Sequence, residues 1–162
     1  MKTILRWLAS LFAILPLALF TAVAVAEDSA IAVQRVTGEF QDLRDRVVFA
    51  IEQQGLSIAH TSKVGAMLNR TAKDLGVATQ TYADAEVIEF CSSVVSRDVT
   101  AVDPRYVALC PYAITVYTLV AEPGAVYVAY RRLIAPGASE AVVAALARAE
   151  SLLAAIVRAA LE

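Results

Sequence analysis

The 162 residues carry 14 Lys and Arg against 16 Asp and Glu with a single His, a formal net charge of −2 at pH 7. A mildly acidic chain with no basic stripe lacks the electrostatic footprint of a nucleic-acid partner. The length bounds the chain at one domain with enough residues to bury a core.

The first segment has the layout of an export signal. Lys2 and Arg6 give a basic start, residues 7–26 run without a charge, and Ala24-Val25-Ala26 precedes Glu27 and Asp28. That order of basic region, apolar region and A-x-A site predicts a cleavable secretory signal over 1–26 and a single domain over 27–162, periplasmic or secreted. The alternative is a retained anchor, because 20 uncharged residues are long enough to span a bilayer, although Pro16 interrupts the run. No Cys flanks the cleavage site, which argues against a lipid anchor. Cleavage removes Lys2 and Arg6, leaving 12 basic residues against 16 acidic and a net charge of −4. The membrane is then met only through the signal segment.

Along the mature chain, Ile31 to Val36 is a short β-prone run. Thr37 offers a helix N-cap ahead of Phe40, Leu43, Val47 and Ile51, whose spacing makes one apolar stripe, and Gly55 is a C-terminal stop. Leu56 to Thr61 alternates large apolar with small or polar residues, a strand that sets His60 on the face of Leu56 and Ile58. A shorter helix fits Ala66 to Leu75, and Thr79 to Asp84 reads as connector. Glu86 to Cys91 is a further strand, followed by a polar stretch from Ser92 to Pro104 and a helical turn through Tyr106 and Leu109. Ala113 to Val120 and Ala125 to Arg131, joined by Glu122-Pro123-Gly124, form a hairpin signal. Ser139 and Glu140 open a helix that runs to the chain end. Its seam of Val142, Leu146, Ala149, Leu153, Ile156 and Ala160 is widened by Val143, Leu152, Val157 and Leu161, which suits a helix that covers a sheet. The order predicts an α+β domain with a mostly antiparallel sheet layered by helices and a long C-terminal helix.

Few residues offer chemistry. The sequence lacks G-x-S-x-G, H-E-x-x-H, P-loop and G-x-G-x-x-G patterns. Cys91 and Cys110 in an exported chain read first as a disulfide, which is geometrically allowed if their strands are antiparallel neighbours and forbidden if they are parallel. A redox-active or metal-binding pair is the alternative, although the spacing is far from C-x-x-C, and with His60 the cysteines supply only three metal ligands. His60 is either a half-buried structural residue or a ligand-binding or acid–base group. Tyr106, Tyr112, Tyr117, Tyr127 and Tyr130 suit packing or an aromatic pocket. Arg131-Arg132 suits a solvated strand end or an anion contact.

These pieces in this order resemble the domain of unknown function 302 family. The matching stretches are Ile51-Glu52-Gln53-Gln54-Gly55-Leu56, the strand ending in His60, Val87-Ile88-Glu89-Phe90-Cys91, Asp103-Pro104, Leu109-Cys110-Pro111 and the hairpin strand Val126 to Tyr130. The family often has Asp-His where this chain has Ala59-His60, and Asn-Pro where it has Ser92-Ser93. The resemblance implies a compact α+β fold and no particular reaction.

The expected function is a non-catalytic binding module in which a cleft beside His60, Cys91 and Cys110 holds a small molecule or metal-containing ligand. The competing expectations are a thiol/disulfide redox protein and an interaction protein that forms a homodimer through its C-terminal helix.

Overall fold

The structure, a computed structural model, describes residues 30–162 apart from Lys73. The expected signal over 1–26 lies outside the described residues. The elements in chain order are β1 (Ile31–Thr37), α1 (Phe40–Gln53), β2 (Ile58–Ser62), α2 (Val64–Ala72), β3 (Tyr82–Phe90) and α3 (Ser93–Val102). A 3₁₀ turn (Pro104–Leu109), β4 (Tyr112–Leu119), β5 (Ala125–Arg131) and α4 (Glu140–Leu161) complete the chain. The strands form one sheet in the order β1-β5-β4-β3-β2, with every neighbouring pair antiparallel. The predicted α+β architecture with a long C-terminal helix is thus borne out, and the sheet is wholly antiparallel.

Period-two alternation sorts the strand residues onto two faces. One face carries Ile88, Phe90, Tyr112, Ile114, Val116, Val126 and Val128, all buried. They form a single core with Leu43, Val47 and Ile51 of α1, Val99 of α3 and the α4 stripe from Val142 to Ala160. The seam read from the α4 sequence is therefore filled inside the domain. Burying side chains of this size contributes about 1.5–3 kcal/mol each, so this face holds most of the fold's stabilisation.

The other face carries Ile31, Val33 and Arg35 of β1, Tyr127, Ala129 and Arg131 of β5, and Ala113, Thr115 and Tyr117 of β4. On β3 the matching positions are Ala85, Val87 and Glu89. Helix α2 covers only one corner of it, where Gly65 lies against Ala85. Across β1 the face is open, with Ile31 at 42% and Val33 at 45% exposure.

Local departures from the sequence expectations have physical causes. Thr37 is not the cap of α1; it is the last ladder residue of β1, opposite Ala125, so the cap position passes to Glu39, which makes no side-chain cap bond. Gly55 does end α1, at φ +71°. Helix α3 fills much of the stretch expected to be irregular. Ser92, itself buried, accepts from Val95 N–H as its cap, and Val99 one turn on enters the core. Strand β3 begins at Tyr82 in place of Glu86, with a register shift between Tyr82 and Asp84 hiding its alternation.

The consequential departure is in β2. Ile58 pairs with Phe90, yet His60 pairs with Glu89, so Ala59 is an extra residue in a β-bulge. One added residue reverses the side-chain phase. His60 consequently does not share the face of Ile58: it stands exposed beside Glu89 on the open face.

Candidate functional site on the open sheet face

Register lines up the open-face residues in rows across the strands. His60 pairs with Glu89, Glu89 with Ala113, and Arg131 with Ile31. Because Ile114 pairs with Tyr130, one further step sets Ala113 beside Arg131. The first row is therefore His60, Glu89, Ala113, Arg131, Ile31. The next row is Val87, Thr115, Ala129, Val33, with Ser62 beside Val87 on β2. The third holds Tyr117, Tyr127 and Arg35.

The aromatic row is satisfied internally. Tyr117 stacks on Tyr127 with ring centroids 4.8 Å apart and planes 7° from parallel, and Tyr82 meets Tyr117 edge-on at 5.7 Å. The Tyr127 hydroxyl donates to Glu122 Oε2 at 2.6 Å, and Arg35 Nε donates to the same oxygen at 3.3 Å and to the Tyr127 hydroxyl at 3.2 Å. The Tyr127 hydrogen bond, joined by Arg35, holds the Glu122 carboxyl below the usual carboxylate range. Burial pushes the Tyr117 phenol up, with Tyr82 and Tyr127 adding to it. The stacked rings turn their faces to one another and form one wall of the open surface.

Between that wall and the end of the sheet lies a depression of about 400 Å³. Its floor is Ala113, Thr115 and Ala129, side chains too short to fill the space, and Val87 and Ile31 border it on the flanks. Glu89 and Arg131 stand on opposite sides of Ala113, and Cys110 and Pro111 form the lip. Glu89 and Arg131 are two strands apart, about 10 Å between Cα atoms at the usual strand spacing.

Glu89 differs from the other half-buried charges among the described residues, each of which has a partner. Glu86 receives Arg44 at 3.1 Å, Asp103 receives Arg105 at 2.7 Å, and Glu150 receives Arg132 at 3.0 Å and the Leu133 N–H at 2.9 Å. Among the described residues, no ion pair or side-chain hydrogen bond engages half-buried Glu89, exposed Arg131 or His60. A larger depression of about 640 Å³ beside α4 has its acid, Glu150, spent on Arg132 and the Leu133 N–H, which ties the chain between β5 and α4 in place.

Cys91 follows β3 and Cys110 precedes β4, which are antiparallel neighbours with Phe90 opposite Tyr112. The two cysteines are joined as a disulfide with Cα atoms 6.1 Å apart, closing the excursion through α3 and the 3₁₀ turn. Cys91 is exposed and Cys110 half-buried. Of the residues singled out from sequence, Cys110 and Arg131 line the depression, Cys91 is bonded to Cys110, and His60 stands one strand beyond, against Glu89. The described residues hold no cluster of three or more His, Cys, Asp or Glu suited to a metal ion. Glu89 was not singled out from sequence. Its signal is the Glu86 to Glu89 spacing, which in a strand sends the two acids to opposite faces.

A wholly antiparallel five-stranded sheet, helix-covered on one side and open over a charged depression on the other, defines an α+β domain of the open-faced kind. Residues 32–160 match the family described as Domain of unknown function DUF302, and the chain belongs to it. The fold is similar to the crystal structure of an uncharacterized conserved protein DUF302 from Bacillus stearothermophilus, with a TM-score of 0.66 at 16% identity. That likeness covers 81% of this chain and 98% of the other, and at such identity it is one of fold. No curated protein matches this chain.

Proposed function

We propose that this chain is an exported, non-catalytic binding module whose site is the depression on the open sheet face. The observation that carries the reading is the pairing state of Glu89 and Arg131: opposite charges flank a floor of small side chains, and neither has an ion-pair or side-chain hydrogen-bond partner among the described residues. Few, convergent polar groups around an otherwise apolar concavity are the usual makings of a small-molecule site. Export is supported by the basic start, apolar run and A-x-A order of residues 1–26 and by the disulfide, a bond favoured in oxidising compartments. No helix among the described residues is long and apolar enough to cross a membrane.

The test is the intact mass of protein purified from a periplasmic fraction, under native and denaturing conditions. The reading expects a polypeptide beginning at Glu27, and a native mass excess that disappears in Arg131→Met. Equal native and denatured masses in both wild type and variant, with no binder in a small-molecule screen, would overturn it. Exposure of Cys91 favours a second reading, thiol–disulfide exchange at the lip of the site. A bridge that stays closed under a mild dithiol would remove that one.

A further inference from the structure

We infer that the ligand is a small zwitterion, a cationic end held by Glu89 and an anionic end by Arg131, with its body over Ala113 and Thr115. This rests on the binding reading above. The guanidinium is a planar fork that takes a carboxylate or phosphate in two parallel hydrogen bonds, and an unpartnered carboxylate accepts from an ammonium. The register holds the two apart, because Ala113 occupies the strand between them and carries only a methyl group. In the structure they make no ion pair with each other, unlike Arg44 and Glu86 at 3.1 Å.

Charge logic then selects the ligand class. A simple anion drawn to Arg131 also feels repulsion from Glu89 at longer range, and a simple cation meets the reverse. Only a molecule carrying both signs gains from both sides. The volume of about 400 Å³ has room for an occupant of amino-acid or dipeptide size. His60, beside Glu89 on the outer strand, adds a hydrogen-bonding group at the cationic end. Thr115 adds a hydroxyl-bearing side chain to the lining.

A series of ω-amino acids serves as a ruler. The mature, oxidised protein is titrated calorimetrically with glycine, β-alanine, 4-aminobutyrate and 6-aminohexanoate, and with butyrate and butylammonium as single-ended controls. The expected result is an optimum within the series, about tenfold or more tighter than either control, and a loss of about tenfold or more in each of Glu89→Gln and Arg131→Met. Neither side chain has an ion-pair or side-chain hydrogen-bond partner among the described residues, so both variants are expected to melt as wild type does. The double exchange Glu89→Arg with Arg131→Glu, expected to restore zwitterion binding in the flipped orientation, keeps the test decisive should either single variant fold poorly. If butyrate or butylammonium binds as well as 4-aminobutyrate, the binding reading stands and the zwitterion is wrong. If nothing in the set binds and the native mass shows no excess, the binding reading falls with it. A concentration-dependent dimer abolished by both single substitutions would reassign the two charges to a contact between copies and overturn both.

Discussion

Replacing Gly65 by Ala tests how α2 sits on the open face. A Cβ built at Gly65 lies 2.6 Å from the Ala85 backbone nitrogen, 3.2 Å from the Asp84 carbonyl carbon and 3.3 Å from the Ala85 Cβ. These are backbone atoms and a strand Cβ, held by the pairing of Asp84 and Ala85 with Thr118 and Tyr117 of β4, and not the far end of a flexible side chain. Helix α2 must therefore lift by most of an ångström, stretching the 3.2 Å hydrogen bond from the Asn69 side chain to the Tyr82 carbonyl. Overpacking of this kind costs about 1–3 kcal/mol, offset by up to about 1 kcal/mol from the better helix propensity of Ala. The net expectation is a loss of about 1–2 kcal/mol, read as a fall in Tm of about 3–8 °C for a domain of this length. Gly38 is the matched control: nothing lies within 4 Å of a Cβ built there, and Gly38→Ala is expected to leave Tm unchanged or raise it slightly. Calorimetric melting of the two variants side by side decides the matter. A Gly65→Ala protein as stable as Gly38→Ala would refute the close packing of α2 on β3.

Three further outcomes follow from the same geometry. Removing the bridge by Cys91→Ala with Cys110→Ala is expected to cost about 3 kcal/mol from loop entropy for a crosslink spanning about 20 residues, measured by urea unfolding against the oxidised protein. Glu150→Gln weakens the tie to Arg132 and to the Leu133 N–H, with an expected loss of about 1–3 kcal/mol by the same assay and proteolytic opening between β5 and α4. Burial raises the phenols of Tyr117 and Tyr130 above the ordinary tyrosine value. A raised folded value means stability that is fully present below the unfolded tyrosine value and lost as pH climbs through the folded one. An absorbance titration should therefore show part of the six tyrosines ionising late, with Tm declining on the alkaline side and steady at neutral pH.

Much of the architecture was legible in the sequence because the core is written in simple periods. The α4 stripe, the α1 stripe and the hairpin around Gly124 each repeat a pattern that one buried face enforces. Helix α3 was missed because its apolar positions are sparse, although Ser92 followed by Val95 and Val99 is a cap and a stripe in miniature. The site was harder to see. Cys110 was singled out for its chemistry and does line the depression. Glu89 and Arg131 belong to different strands, 42 residues apart by their numbering, and only the β3–β4–β5 register brings them to one row. His60 was placed on the wrong face because no local pattern announces a bulge at Ala59.

That bulge makes the side of the sheet on which His60 stands a matter of pairing register and not of composition. Were Ala59 to take the ladder place opposite Glu89, His60 would fall opposite Ile88 and turn toward the helices and Thr61 would turn outward opposite Val87, with no change in the identity of either residue. The strand is also an edge, and an edge that carries an irregularity is a poor template for a neighbouring chain to extend. The skipping of one residue in the ladder thus sets which surface the protein's only histidine serves and discourages fibre-like growth from that border.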